Sequence, residues 1–370
     1  MRARALCYDG CGGEERSSAL ARVMVVFGGR SGEHEVSLAS ARAIMEALGG
    51  CHEVVPVGIT REGRWISSGD PMRELESRSG AMIGAGDASD TGLPAKSGQK
   101  IPAALDSADV VFPVLHGPYG EDGTIQGMLE LAGVPYVGSG VLASAVGMDK
   151  LTMKKIFAYH GLPQVEWLGL TRKDWDEDGD GWVRHVEASL GFPCFVKPAN
   201  LGSSVGIGKA TDAVVLRSAL DAAARLDRRL IVEAGVDARE IEVSVLGNEK
   251  VEVSVPGEIL VKKNEFYDYE AKYAEGGMEL VVPAKIPDET ADELRRIART
   301  AYEAIDAAGM ARVDFFLERA TDRLLINEIN TIPGFTSTSV YSRLWAATGL
   351  PYEELLDRLV QLAFERHRQR

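Results

Sequence analysis

Cysteine is scarce in this chain, and no motif pairs the few that occur. Cys7 and Cys11 are spaced too widely for CxxC, and Cys51 and Cys194 add no second pair. That excludes a cysteine-built metal site and makes reduced thiols in a cytoplasmic protein the expectation. Positive charge is also short, with 41 Lys and Arg against 55 Asp and Glu and a net charge of −14. A nucleic-acid surface is thereby excluded, though a local basic pocket for phosphate is not. No apolar run approaches the length of a membrane span. Residues 1–20 are rich in Arg, Gly, Ser and Glu, and the apolar run Ala21–Phe27 ends in Gly-Gly instead of a cleavage site. A signal peptide is therefore not expected. Residues 1–20 read instead as a disordered extension, upstream of a later start such as Met24. No internal repeat is visible. An ordinary apolar fraction over 370 residues leaves room for two or three domains with a large core.

What is present reads as α/β. Ala21–Phe27 is a buried strand, Gly28–Gly32 a turn, Glu33–Leu48 a helix, and Glu53–Ile59 and Asp109–Leu115 are further strands. This alternation predicts an open parallel sheet over residues 21–145. Residues 67–101, rich in Ser, Gly, Asp and Ala, are expected to be a long surface loop of low order. A central unit, 146–236, opens with a helix from Lys150 to about His160. It continues with a strand at Pro193–Pro198, a Gly/Ser loop at 202–208, a helix ending near Leu226, and a far-edge strand at Arg229–Glu233. A last unit, 237–370, has strands at Glu240–Leu246 and Lys250–Val255, an aromatic loop over 262–280, a helix over Asp288–Ala308 and two more strands.

Those two strands carry the most chemistry. One contains Arg312-Val313-Asp314, the other Asn327-Glu328-Ile329-Asn330 ahead of Pro333-Gly334. As antiparallel neighbours they bring Asp314, Glu328 and Asn330 to one point. Three hard oxygen donors suit Mg²⁺, which shares its shell with phosphates and water. Arg312, two residues from Asp314, faces the same way and sets a permanent cation beside bound phosphate. Solvated amphipathic strands are the alternative, which Glu and Asn inside an apolar run fit poorly.

Lys197 ends a strand ahead of Gly202-Ser203-Ser204-Val205-Gly206-Ile207-Gly208. Small residues, two hydroxyls and a point charge suit nucleotide phosphates, and an ordinary hairpin turn accounts for the loop equally well. The loop is no Walker A motif, because Ala210 follows Gly208-Lys209. A nucleophile elbow at Gly202–Gly206 needs a strand–turn–helix and a later His, and only His367 follows. Residues 176–187 match EF-hand spacing, but a helix capped by Asp180 or Gly181 interrupts that loop. His116-Gly117, with Glu121 and Asp122 close behind, leaves a strand where ligands bind in parallel sheets, and the acids equally suit a helix N-terminus. Glu33 reads either as helix-dipole partner or as an anion for a ligand's ammonium. Glu233 and Glu240, at a domain edge, suit ribose hydroxyls or solvent. Phe266–Tyr273 reads as an aromatic lid or as a hairpin with core tyrosines.

Taken together and in order, these segments over nearly all of 21–365 resemble the D-alanine–D-alanine ligase family of the ATP-grasp superfamily. The resemblance includes Gly28–Ser37, His116-Gly117-x-x-Gly120-Glu121-Asp122-Gly123, Met148-Asp149-Lys150, Phe195–Pro198, Gly202–Gly206, residues 266–273, Arg312-x-Asp314 and Asn327-Glu328-x-Asn330-x-x-Pro333-Gly334. It implies an N-terminal open parallel-sheet domain followed by a two-part ATP-grasp fold. Lys150, Lys197, Ser204, Glu233, Glu240 and Lys272 are then expected to bind ATP. Asp314, Glu328 and Asn330 are expected to hold two Mg²⁺, with Mn²⁺ as a substitute and a monovalent cation left open. Glu33, oriented through Ser203 and Tyr273, is expected to pair with the ammonium of a first D-alanine, and His116 to lie near its carboxylate. Arg312 and the Gly334 amide form the expected oxyanion site, and Ser339 takes the carboxylate of a second D-alanine.

The implied reaction makes D-alanyl-D-alanine through a D-alanyl phosphate, for peptidoglycan precursors, in a cytoplasmic homodimer with no nucleic-acid or membrane partner. The lid over 262–280 is expected to exclude water from the acyl phosphate. Lys272-Tyr273 favours an amine over D-lactate as second nucleophile, with D-alanine and D-serine both open. Residues 1–20, the acidic stretch 174–182 and Val340 depart from the family pattern.

Overall fold

Val23–Phe27 is an unbroken apolar run, and all five side chains are fully buried. Such a run suits a strand covered on both faces, and it forms the middle of β1 (Arg22–Gly28). Helix α1 (His34–Leu48) follows. Strand β2 (Glu53–Ile59) pairs with β1 in parallel, and β3 (Trp65–Ile66) pairs with β2 antiparallel. Next come α2 (Pro71–Ser79), β4 (Val110–Val114), parallel on the far side of β1, and α3 (Thr124–Ala132). The sheet order is β3-β2-β1-β4.

The computed structural model describes residues 20–79, 103–202, 206–261 and 278–369. Ser203, Ser204, Lys272, Tyr273, residues 262–277 of the lid expected over 262–280, and residues 1–19 lie outside the described residues. The loop expected over 67–101 is corrected in part, because α2 lies within it. Pro71 stands at the first helical position, the Asp70 carboxylate accepts from Arg73 N–H at 3.0 Å, and Leu75 is buried.

Close contacts divide the chain into two compact units, Met1–Gly120 with Thr124–Gly138 and Gly334–Arg370, and Glu121–Gly123 with Ser139–Pro333. The second unit begins with α4 (Val141–Met148) and α5 (Lys150–Tyr159). A first antiparallel sheet holds β5 (Trp167–Thr171), β6 (Cys194–Pro198), β7 (Gly208–Ala210) and β8 (Arg229–Ala234) in the order β5-β8-β6-β7. Helices α6 (Arg172–Glu177), α7 (Gly179–Ser189) and α8 (Ala213–Leu226) lie between these strands in sequence. Strand β8 is interior, not at the far edge, because β5 takes the outer place.

Two alternative motifs end here. Thr171 and Asp174 form a capping box on α6, and Asp178, two residues before Asp180, accepts from Gly181 N–H at 2.9 Å to start α7. Back-to-back helices leave no continuous calcium loop over 176–187. Strand β6 leads through the Gly/Ser loop into its antiparallel partner β7, not into a helix, so the strand–turn–helix of a nucleophile elbow is missing.

The larger sheet contains β9 (Ala238–Gly247), β10 (Glu252–Val253), β11 (Gly257–Val261), β12 (Met278–Val281), β13 (Gly309–Glu318) and β14 (Leu324–Asn330), with α9 (Asp288–Ala304) between β12 and β13. Its order is β12-β11-β9-β13-β14, with β10 pairing on β9. One face is apolar: Ile241, Val243, Val313 and Phe315 join Leu294 and Ile297 of α9 and Phe157 of α5 in one core. The two-residue period of a strand sends Glu240, Glu242, Arg312 and Asp314 to the other face. Back in the first unit, α10 (Val340–Thr348) packs on α11 (Tyr352–Arg368), and α11 lies against β4 and α1. The Phe335 ring meets Phe112 edge-on at 6.0 Å, and Phe335 N–H donates to Ser40 Oγ at 3.1 Å.

Candidate active site

On the polar face of the larger sheet, register does the positioning. Asp314 lies opposite Glu328 on β14 and opposite Glu242 on β9, while Arg312 lies opposite Asn330. Phe315 pairs with Ile326, so Asn327 is extra and a β-bulge interrupts the ladder between Asp314 and Phe315. Ile326 is fully buried in the core, and two residues later Glu328 stands opposite Asp314. Without the bulge, Ile326 and Glu328 share a face; the extra residue turns Glu328 to the polar side.

Arg312 donates to both oxygens of Asp314, from Nε and Nη2, at 2.7 Å each, and its Nε lies 3.0 Å from Glu242 Oε2. Asn330 Oδ1 accepts from Ile332 N–H at 3.0 Å. Asp314, Glu328 and Asn330 offer oxygen donors only. Among the described residues no group of three or more His, Cys, Asp or Glu side chains converges as a metal site by itself. Two carboxylates and an amide fit Mg²⁺ whose shell is completed by phosphate and water.

Beside these acids stand the cations. Asp149 caps α5 by accepting from Thr152 N–H at 2.8 Å and also pairs with Arg229, which fixes the start of that helix. Lys150, its first residue, donates to Leu201 O at 2.8 Å and reaches within 3.8 Å of Glu328 Oε2. It thus ties the entry of the Gly/Ser loop to the oxygen-donor face. Gly206 at the exit of that loop has φ +75°, and a Cβ there is placed 2.5 Å from Leu226, so glycine is required. Lys197 Nζ lies 2.5 Å from Glu233 Oε2, and Lys154 Nζ lies 2.7 Å from Glu233 Oε1. Burial pushes Glu233 up, but the two ammoniums outweigh it and hold the carboxyl down at about 2. Burial pushes Lys197 down, and the carboxylates of Glu233, Glu328 and Glu240 outweigh that and raise it. Lys150, Lys197, Glu233, Glu240, Arg312, Asp314, Glu328 and Asn330 are therefore gathered in one unit.

In the first unit, Gly28 has φ +94°, and a Cβ on it is placed 2.3 Å from Ile59 O. Gly28 N–H donates to the buried Ser37 hydroxyl, which in turn donates to Val114 O. His34 donates from Nδ1 to Gly29 O at 2.8 Å, and burial lowers its pKa and keeps the ring neutral. This rigid turn presents Glu33 at the N-cap of α1. A Cβ on Gly117 lies 3.1 Å from Glu33 Oε2, so Glu33 stands against the turn that follows His116, itself buried. Ser339 is the N-cap of α10, and its Oγ accepts from Thr336 N–H at 2.9 Å. Gly334 lies nearby, with its would-be Cβ 3.6 Å from Ser339 Oγ.

Two family models match the chain, "D-ala D-ala ligase N-terminus" over residues 22–139 and "D-ala D-ala ligase C-terminus" over residues 156–361. The chain belongs to the D-alanine–D-alanine ligase family. It is 50% identical to the D-alanine–D-alanine ligase of Heliobacterium modesticaldum over 353 residues, 94% of this chain and 96% of that protein. The enzyme of that name from Geobacillus thermodenitrificans is 46% identical, with 94% and 97% covered. Among solved structures, the D-alanine–D-alanine ligase of Coxiella burnetii superposes with a TM-score of 0.76 at 35% identity, covering 95% of both chains. The VanG D-Ala:D-Ser ligase of Enterococcus faecalis superposes with a TM-score of 0.78 at 33% identity, covering 93% of this chain and 100% of that one. The α/β architecture with its antiparallel ATP-grasp sheets is that of these ligase structures.

Sequence reasoning missed two members of this family chain's polar cluster. Lys154 follows Lys150 by four residues, one helical turn on the same face. Glu242 follows Glu240 by two, the strand period. Both spacings were available signals.

Proposed function

We propose that this chain joins two D-alanines to D-alanyl-D-alanine with ATP, through a D-alanyl phosphate, for peptidoglycan precursors in the cytoplasm. The observation that carries the reading is the cross-strand pair Asp314–Glu328, with Arg312 and Lys150 beside it and the Lys197–Glu233 pair in the same unit. Anionic ligands for a cation and cationic ligands for phosphates stand side by side, which a phosphoryl transfer to a carboxylate requires. Family membership and the names of the relatives support the same reading.

Asp314, Glu328 and Asn330 are the residues to hold Mg²⁺, with Mn²⁺ as substitute. The metal supplies charge neutralisation on the transferring phosphate. Lys150, Lys197, Ser204, Glu233, Glu240 and Lys272 bind ATP in this reading. Glu33, oriented through Ser203 and Tyr273, takes the ammonium of the first D-alanine, and His116 lies by its carboxylate. An oxygen of that carboxylate receives the γ-phosphoryl group. The amine of the second D-alanine, whose own carboxylate is held by Ser339 at a helix N-terminus, then attacks the acyl carbon. A C–N bond forms, the C–O bond to phosphate breaks, and the amine proton leaves to solvent. Arg312 and the Gly334 amide donate to the oxyanion formed on the way. The 262–280 lid excludes water, and a homodimer is the assembly proposed.

The test is phosphate release with D-alanine, D-serine, L-alanine and D-lactate in parallel. Release that needs both D-alanine and Mg²⁺ is expected. Release with D-alanine only when D-serine is added identifies D-serine as second substrate. No release with D-alanine under any combination contradicts the reading.

A further inference from the structure

Lys154 is the least exposed cation in the described second unit, at 1% of its side chain, yet none of the roles above uses it. It sits on α5 one turn after Lys150, on the helix that sends Met153 and Phe157 into the core. Burying an ammonium is costly unless a carboxylate meets it. Glu233, itself 3% exposed, does so through Oε1 at 2.7 Å. The other oxygen, Oε2, meets Lys197 at 2.5 Å, and Lys197 keeps 12% of its side chain open. One carboxylate is therefore held between two ammoniums, one sealed and one facing the site. The helix is anchored independently, by Asp149 on Thr152 N–H and Arg229, and by Lys150 N–H on Ala199 O at 3.0 Å. Gln164 adds a tether by donating to Lys154 O at 3.0 Å. The backbone that carries Lys154 is thus fixed by elements that do not depend on the nucleotide.

We infer that Lys154 is a positioning residue for nucleotide binding: it fixes the rotation of the Glu233 carboxylate and so leaves Lys197 free to turn toward phosphate. The inference rests on the nucleotide roles proposed above for Glu233 and Lys197. The charge count explains the effect. With Lys154 present the trio carries one net positive charge, so Glu233 is neutralised from behind and Lys197 has charge to spare for a ligand. Without Lys154 the carboxylate is satisfied only by Lys197, which is then drawn onto it and withdrawn from phosphate. The fold tolerates that change, because Glu233 keeps one partner and no buried carboxylate is orphaned.

The experiment measures Mg²⁺-ATP binding by calorimetry on the full chain as wild type, Lys154→Met, Glu233→Gln and the double variant, with thermal midpoints alongside. Steady-state KM for D-alanine is measured on the same proteins. Lys154→Met is expected to weaken ATP binding about tenfold, the scale of one charge-assisted contact, and to leave KM for D-alanine within about twofold. In the Glu233→Gln background the same substitution is expected to add less than about threefold, since Lys154 acts through Glu233. If Glu233→Gln does not fold, the split between ATP and D-alanine in Lys154→Met decides alone. Equal ATP affinity in wild type and Lys154→Met overturns the inference, as does an equal loss for ATP and D-alanine. A wild type that binds ATP but releases no phosphate with D-alanine overturns the ligase reading and leaves the assignment of Lys154 to be decided by the binding data.

Discussion

Arg312 and Asp314 form a two-pronged pair inside a single strand, two residues apart on one face. A planar guanidinium can hold both carboxylate oxygens at once and still present an N–H edge, whereas an ammonium is a point charge. Arg312→Lys is therefore expected to lower kcat by about 10²–10³, the usual cost of losing one oxyanion donor, while ATP binding stays within about threefold. Unchanged kcat in that variant contradicts the oxyanion role. Glu233 gives a pH prediction. Its carboxyl is held down at about 2 in the folded chain, so its contribution to stability is complete above its ordinary value and lost as pH falls toward 2. Lys197 is raised, so its contribution is complete below its ordinary value and lost only as pH rises through the raised one. The difference in thermal midpoint between wild type and Glu233→Gln is thus expected to be flat from about pH 5 to 9 and to shrink below about pH 4. A difference that grows on acidification contradicts the ion trio. Residue types in unlikely company, Glu328 and Asn330 in an apolar strand, made the oxygen-donor face legible in the sequence. Lys154 and Glu242 were not singled out, because one more Lys on a helix or Glu on a strand reads as a solvated charge until burial is known.

Alternation and turn residues disclose the elements better than their exceptions. Strands β1, β6, β8, β13 and β14 coincide with the apolar runs, since period-two and continuous runs both mark strands. The bulge at Asn327 was not legible: it changes which face Glu328 takes without altering composition. Helix α2 was hidden for a different reason. Its Ser, Glu and Arg content resembles the polar stretch after it, and only Pro71 behind Asp70 and buried Leu75 distinguish it. The Gly28 turn has the clearest consequence for stability. Gly28→Ala demands a left-handed backbone and sets a Cβ 2.3 Å from Ile59 O, the same oxygen that accepts from Gly29 N–H at 2.8 Å. A loss of about 2–4 kcal/mol is expected, visible as a lower thermal midpoint, together with weaker D-alanine binding because Glu33 is carried by that turn. A midpoint equal to wild type contradicts the requirement.

At the scale of the molecule, two units carry different parts of the proposed chemistry. The first holds Glu33, His116, Gly334 and Ser339, and the second holds the cations and oxygen donors. The segment Gly334–Arg370 is grouped with the first unit through Phe335 on Phe112 and Arg366 on Tyr136, contacts between stretches more than 200 residues apart that no local pattern announces. The order of motifs, by contrast, was legible over nearly all of 21–365, and the family models match residues 22–139 and 156–361 of that span. The central claim is that the first D-alanine is activated as an acyl phosphate. It is tested most directly by supplying D-alanine labelled with ¹⁸O in its carboxylate, with ATP and Mg²⁺, and weighing the inorganic phosphate released. The account predicts that label passes from the carboxylate into phosphate, one oxygen for each dipeptide formed; phosphate released without label, alongside dipeptide, contradicts it.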